Sequence, residues 1–436
     1  MARMRSVLGK PAALFSGAVG VVVLAFLVFT PNAKAHAASI IVKPGEGTLA
    51  VAVLAARAGD TLKLRDGRYF GPILIDKPLE IMGSPGAVID GRGQRSVLKV
   101  SAPDVVISGL TIVNSGTDLA HEDAAIFVDA KGNGVLIENN LLKGNLTGIF
   151  LKGPHKAMVR GNTIFGSTYF RVNSRGNGVY IWDSPGTIIE NNDIHHGRDG
   201  IFVTTSKNDI FRGNTFRDLR FAIHYMYTSH SEVSGNRSIN NDIGYAIMFS
   251  DHLKISGNLS LHDSKRAFLF NYVNRSAITD NVARGGSKKC VFIYDTNRNI
   301  FRGNTFEDCD IGIHFTAGSE FNDITGNAFI DNRDQVKYVG TRAVEWSLNG
   351  RGNYWSDNAS FDLNGDGISD RPYHPNGLVD QVVWSHPLAR LLLNSPAVQI
   401  LRWAQSEFPS IRPGGVTDSA PLMAPPPMRA FPGVSR

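Results

Sequence analysis

Asparagines recur along this chain at a nearly constant interval. They close a phrase that runs Val135-Leu136-Ile137-Glu138-Asn139-Asn140, Met158-Val159-Arg160-Gly161-Asn162, Ile188-Ile189-Glu190-Asn191-Asn192, Ile210-Phe211-Arg212-Gly213-Asn214 and Glu232-Val233-Ser234-Gly235-Asn236. Asn258, Asn281, Asn304 and Asn327 continue it, and the steps are 22, 30, 22, 22, 22, 23, 23 and 23 residues. A fixed period of this length marks a solenoid, in which each repeat buries its apolar face only against its neighbours. The 436-residue length, which would otherwise suggest two or three domains, is then one long array with end pieces.

A glycine or small residue stands about 14 positions before each asparagine and opens an alternating run such as Gly200-Ile201-Phe202-Val203-Thr204. Period two means strand, and the Leu-x-x-Leu-x-Leu phrase of leucine-rich repeats is absent. The expected fold is all-β, a single-stranded right-handed parallel β-helix with coils of about 22 residues. The repeating asparagine is expected at one bend of each coil, where it tolerates a left-handed backbone and hydrogen-bonds its equivalent in the next coil. Positions thirteen and eleven before it should point inward, for example Ile201 and Val203, and Ile223 and Tyr225. Positions twelve and ten then point outward: Phe150, Tyr180, Phe202, His224, Ala246, Leu269, Phe292 and His314, and beside them Lys152, Trp182, Thr204, Met226, Met248, Asn271 and Tyr294. So apolar an outer face reads as a docking surface or a substrate groove, unless the parity is reversed and these residues are core. Eight extra residues around Tyr169–Asn173 read as a protrusion from one coil.

Residues 1–37 have a basic start, an apolar run from Pro11 to Thr30 and Ala-x-Ala sites at Ala33–Ala35 and Ala35–Ala37, the build of a cleaved export signal. Residues 38–61 should cap the first coil, with a helix over Thr48–Ala56, because an open solenoid end exposes core and unpaired strand edge. The β-helix should span 62–344. Residues 345–408 form a C-terminal cap with an amphipathic helix around Leu388–Phe408, interrupted at Pro396. From residue 409 onward, seven prolines in 28 residues predict a disordered tail.

There are 45 Lys and Arg against 39 Asp and Glu, but four of the cations lie in the leader, leaving 41 against 39. This balance gives no electrostatic reason for a nucleic-acid partner. With an export signal and no second apolar span, the mature chain is expected in the periplasm.

Met226 and Met248 share one column on adjacent coils, and His230 and His252, six before their asparagines, share another. With His224 they form a candidate copper set, since Cu(I) accepts thioether and imidazole ligands at low coordination number. Methionine also fills hydrophobic gaps, and the histidines could be loop residues. Asp362, Asn364, Asp366 and Asp370 place oxygens at alternate positions around Gly365 and Gly367, the start of a structural calcium loop or an Asx-Gly turn that needs no ion; Tyr373 stands where an EF-hand has its bidentate Glu. The Asp193–Asp199 cluster, with His195 and His196, could do acid–base work on a sugar stacked on Tyr180, Trp182 and Phe202, although no matching basic column accompanies it. Cys290 and Cys309 are offset along the coil by about three residues, which favours a buried free thiol unless the connection folds back; an oxidising compartment leaves the bridge open.

Phe221-Ala222-Ile223-His224-Tyr225-Met226-Tyr227, Gly244-Tyr245-Ala246-Ile247-Met248-Phe249-Ser250, Gly352-Asn353-Tyr354-Trp355-Ser356-Asp357-Asn358, Asp362–Tyr373 and Val383-Trp384-Ser385-His386-Pro387-Leu388-Ala389 stand out from the repeat. In these phrases the exported part resembles the NosD family of nitrous-oxide reductase maturation proteins. This resemblance implies a periplasmic, non-enzymatic assembly factor for the copper centres of nitrous-oxide reductase. The implied partners are an ABC-type transporter made of an ATPase and a permease, the reductase itself and a copper chaperone, with membrane association only through the permease. The resemblance supplies no copper ligands; those above come from column alignment. Leu388–Phe408 is a candidate permease-docking segment or a plain cap. The competing class is a carbohydrate-active β-helix, either a lyase, epimerase or hydrolase or a binding module.

Overall fold

The computed structural model describes residues 37–436 apart from 170, 394, 409–413, 429 and 432–436; the expected export signal lies outside the described residues. Three long sheets, of 13, 12 and 13 strands, run side by side along a right-handed parallel β-helix. The first begins at Ser39–Val42 and ends at Asp323–Ile324, the second runs from Ile73–Ile75 to Asp334–Val339, and the third from Gly67–Phe70 to Tyr354–Trp355. All pairings in the three sheets are parallel with direct register, for instance Ile201↔Ile223 and Phe202↔His224. That register makes every position of a coil a column, spaced by the ~4.8 Å between strands.

The inward columns are as the alternation predicts. Ile149, Leu151, Val179, Ile181, Ile201, Val203, Ile223, Tyr225 and Phe270 have no exposed surface, and all belong to one continuous core. Each large side chain so buried contributes roughly 1.5–3 kcal/mol, which no single coil could assemble alone.

The asparagine ladder is continuous. The Asn236 side-chain amide donates to Asn258 Oδ1 at 3.0 Å and to Phe211 O at 2.8 Å, while the Asn236 carbonyl oxygen accepts from the Asn214 amide at 3.0 Å. The left-handed residue, however, is the one before it: Gly213 (φ 65°), Gly235 (φ 61°) and Asn191 (φ 55°), whereas the ladder asparagines keep ordinary φ. The phrase thus pairs a residue that permits the bend with one that saturates it. The ladder also runs one coil beyond Asn327, to Asn353, whose Oδ1 accepts from the Asn327 side chain at 2.9 Å.

Helix α1 (Thr48–Ala55) plugs the first coil with Leu49 and Val53. Its N-cap is Gly47 in the left-handed region, and Thr48 donates instead to Gly45 O at 3.0 Å. The first strand is Ser39–Val42, ahead of the helix, paired with Thr61–Leu64. At the other end stand α2 (Leu378–Ser385), a 3-10 turn (Pro387–Leu392) and α3 (Pro396–Glu407). Pro396 occupies the first turn of α3, where its missing N–H costs nothing, so it starts a helix rather than interrupting one.

Two expectations are corrected. Beyond residue 413 the chain is not a free tail: Val416–Thr417 pairs in parallel with Val344–Glu345, and Asp418 is fully buried against Asn353 and Trp355. Proline content argues against regular ladders but not against burial of single strands and carboxylates. Cys290 and Cys309 form a disulfide with Cα atoms 5.7 Å apart, because the connection before Gly312 does fold back over the strand that carries Cys290. Among the described residues no helix is long and apolar enough to cross a membrane.

Candidate functional site

The outer face of the second sheet carries the apolar column the alternation predicted. Phe150 stacks on Tyr180 at 4.3 Å, Tyr180 on Phe202 at 4.9 Å and Phe202 on His224 at 4.7 Å between ring centroids. Ring packs on ring, so these faces are largely spent on one another. Farther along, Ala246 and Leu269 form a small apolar cluster with Ile243, flanked by Phe221, Met248 and Phe292, outside the main core.

His224 is tied to this face. Its Nδ1 lies 3.2 Å from Asp199 Oδ2, and Arg220 grips the same carboxylate through two bonds at 2.8 and 2.6 Å. Burial alone would raise the Asp199 pKa, but the bonds from His224 and Arg220 hold it below the usual carboxylate range. A charge so paired is a fixed ion pair and not a proton donor. Asp193 lies on a different sheet, in Asp193–His195, where His195 Nε2 is 3.0 Å from its carboxylate. The bend at His196 and Gly197, both at positive φ, therefore divides the cluster read as an acid–base pair.

His230 and His252 are brought together. Both sit at bends in the left-handed region, with φ of 53° and 52°, and their rings stack at 4.8 Å with an interplanar angle of 4°. Direct register sets this: residues six before consecutive ladder asparagines fall on adjacent coils, and histidine is among the few side chains that accept the left-handed region. Asp251 completes the group, its carboxylate 3.1 Å from His252 Nδ1. Among the described residues these three are the one set of His, Cys or carboxylate side chains whose ligand atoms all lie within 4.8 Å of one another. Both histidines are exposed and Asp251 is half-buried.

Met226 and Met248 face each other in register but lie on the flat strand, before the left-handed turns at Tyr227 and Phe249. Between methionines and histidines runs an exposed aromatic column, Tyr227 on Phe249 at 5.1 Å and Phe249 on Tyr272 at 5.1 Å. The five residues grouped from the sequence thus divide into three: His224 in the ion pair, the methionines on the sheet and the histidines on the bend. Asp251 was missed, although a carboxylate next to His252 in a column already suspected was the available signal.

In the Asp362–Asp370 loop, Asp362 accepts from Gly365, Asp366 and Gly367 backbone amides, Asn364 and Asp366 accept from Asp366 and Ile368, and Asp370 accepts from Leu363. These exposed side chains close the turn through backbone donors, and their carboxylates do not converge as the His230 group does.

A family model described as "Periplasmic copper-binding protein (NosD)" matches residues 166–360, and a second, of unknown function, matches 47–217. The chain is 46% identical over 375 residues to a Stutzerimonas stutzeri protein named "Probable ABC transporter binding protein NosD", covering 83% of this chain and 86% of that one. It is 47% identical over 373 residues to a Pseudomonas aeruginosa protein of the same name, covering 83% and 87%. Among solved structures, the surface protein and adhesin PfbA of Streptococcus pneumoniae superposes with a TM-score of 0.54 at 13% identity over 67% of this chain and 94% of that one, a likeness of fold alone.

Proposed function

The chain belongs to the NosD family, and on that premise we propose that it is a periplasmic accessory protein for assembling the copper centres of nitrous-oxide reductase, working beside an ABC-type transporter. The observation that carries this reading is the His230–Asp251–His252 group on an exposed edge of a rigid solenoid. Copper is cargo here. With Nδ1 of His252 held by Asp251, Nε2 is the nitrogen left to present, and imidazole nitrogen is a donor that copper accepts in either oxidation state. An exposed site with few ligands can hand its ion on, which a buried four-ligand site resists. Met226 and Met248 lie earlier, on the strands that lead into these bends, and stand apart from the histidine group.

The aromatic column Tyr227, Phe249 and Tyr272, with Tyr294 of the methionine column set edge-on to Tyr272, borders the histidines; the four are 55%, 39%, 42% and 42% exposed, a contact edge for the protein that gives or takes the metal. The transporter contact is assigned to the C-terminal helical segment, where Leu388, Leu391, Ile400 and Trp403 are 81%, 85%, 65% and 61% exposed. Removing residues 388–408 should release the protein from the transporter and leave the coils folded; loss of the whole fold would make the segment a cap only.

Complementation tests the whole reading. A strain lacking this chain should accumulate reductase short of copper, and the wild-type chain should restore the copper where a His230→Ala/His252→Ala variant does not. Copper-replete reductase in the deletion strain sinks the proposal.

A further inference from the structure

The two ends of the outer apolar face differ in how their cations are paired. At the Asp199 end, Arg198 and Arg220 share one buried carboxylate. At the other end Arg266, Lys289 and Lys337 stand on the second sheet, and no described carboxylate pairs with any of them. Lys265, next to Arg266, takes Asp242, and Asp334, in the column of Arg266 and Lys289, lies 3.7 Å from Arg333.

The three cations stand on nearby coils of one sheet. Arg266 and Lys289 are partners in register, and both lie over the Phe292 ring, at 5.2 and 4.2 Å from its centroid. Phe292 pairs with His314, and His314 with Lys337, whose ammonium also lies 5.8 Å from the Trp384 ring. All four groups are half-buried. Buried polar atoms there are left without a partner: Arg266 Nε, His314 Nδ1 and, on the same face, Asn271 Oδ1. Of these, Arg266 Nε is a donor short of an acceptor, His314 Nδ1 donates or accepts according to its tautomer, and Asn271 Oδ1 is an acceptor. Burial first, and then repulsion from the neighbouring cations, takes Lys289 down to about 8 and His314 down to about 3.

We propose that Arg266, Lys289 and Lys337 bind a small dianionic oxyanion of the sulfate or phosphate kind, seated beside the Phe292 edge with His314 neutral as a further donor. Arg266 and Lys289 share the Phe292 ring and Lys337 is the register partner of His314, a compact set that matches the size of one oxyanion better than that of an acidic peptide. The Arg266 fork supplies paired N–H groups and the two ammonium groups supply point charge. The site is independent of the His230 group and of the family reading.

Calorimetric titration of the exported chain at low ionic strength, with sulfate and separately with inorganic phosphate, tests it. Saturable one-site binding is expected with at least one of them, weakened about tenfold or more in Lys289→Gln and in Lys337→Gln, both checked for native circular dichroism. A Lys265→Gln control, whose lysine already has Asp242, should bind as the wild type does. No saturable binding of either anion overturns the proposal, and so does an affinity that stays the same in the folded Lys337→Gln variant.

Discussion

The last rung of the asparagine ladder, Asn353, does not end on water: its backbone amide donates to Asp418 Oδ2 at 2.7 Å, 65 residues downstream, and Trp355 Nε1 donates to the same oxygen at 2.8 Å. A carboxylate from the final segment thus closes a stack of hydrogen bonds that begins near Asn140. Gly352 makes room for it, since a Cβ there would fall 1.7 Å from Asp418 Oδ1.

Removal of that carboxylate should loosen the end of the solenoid. Asp418→Ala leaves the Asn353 amide and the Trp355 indole buried without an acceptor and is expected to cost about 2–4 kcal/mol. Asp418→Asn keeps one oxygen and should cost less. Urea unfolding followed by tryptophan fluorescence reads both; equal stability of Asp418→Ala and wild type would show that the last segment contributes nothing to closure.

Copper binding should depend on the bend and not on the strand. In an anaerobic Cu(I) titration against a competing chelator, His252→Ala is expected to lose at least about tenfold in affinity, while Met226→Leu, at similar volume, loses little. The reverse order would move the site onto the methionine column.

Asp209 gives a pH signature. Its Oδ1 accepts from the Thr187 amide at 3.0 Å, its Oδ2 has no partner, and burial pushes its pKa up to about 7. The folded chain therefore keeps a proton that the unfolded chain, with its ordinary value of 3.8, has released. Stability should fall as pH rises from about 4 to about 7, and the loss should persist above that range. Asp209→Asn, which still accepts from Thr187, should gain on the order of 2 kcal/mol at pH 8 and almost nothing at pH 4, measured by chemical denaturation at both.

The Cys290–Cys309 bridge closes a loop of 19 residues and should contribute roughly 3 kcal/mol. Cys309→Ser with Cys290→Ser should lower the unfolding free energy by about that amount, and the denaturation midpoint with it, without altering the circular dichroism. A midpoint that dithiothreitol does not move would remove the bridge from the stability of the chain.

Much of the fold was legible because it repeats. The alternation around Ile201 and Val203 announced strand and core, and the asparagine spacing announced the coil. The functional face was legible only as columns. His230 and His252 fell into one column from counting alone, but the same counting placed His224 and Met226 beside them, since numbering along a strand is blind to a left-handed turn at Tyr227 and to an ion pair with Asp199.

By itself, then, the sequence determined everything that each coil states again: period, parity, ladder, and the meeting of residues at equivalent positions on neighbouring coils. Such contacts follow from a single register repeated at ~4.8 Å. The tertiary structure alone decided the contacts between positions that are not equivalent: His224 beside Asp199, Cys309 folded back onto Cys290, Asp418 under Asn353, and Arg266 and Lys289 over Phe292. Those depend on how far the chain turns at each bend and on which late segment returns to the stack, and a periodic pattern carries no record of either.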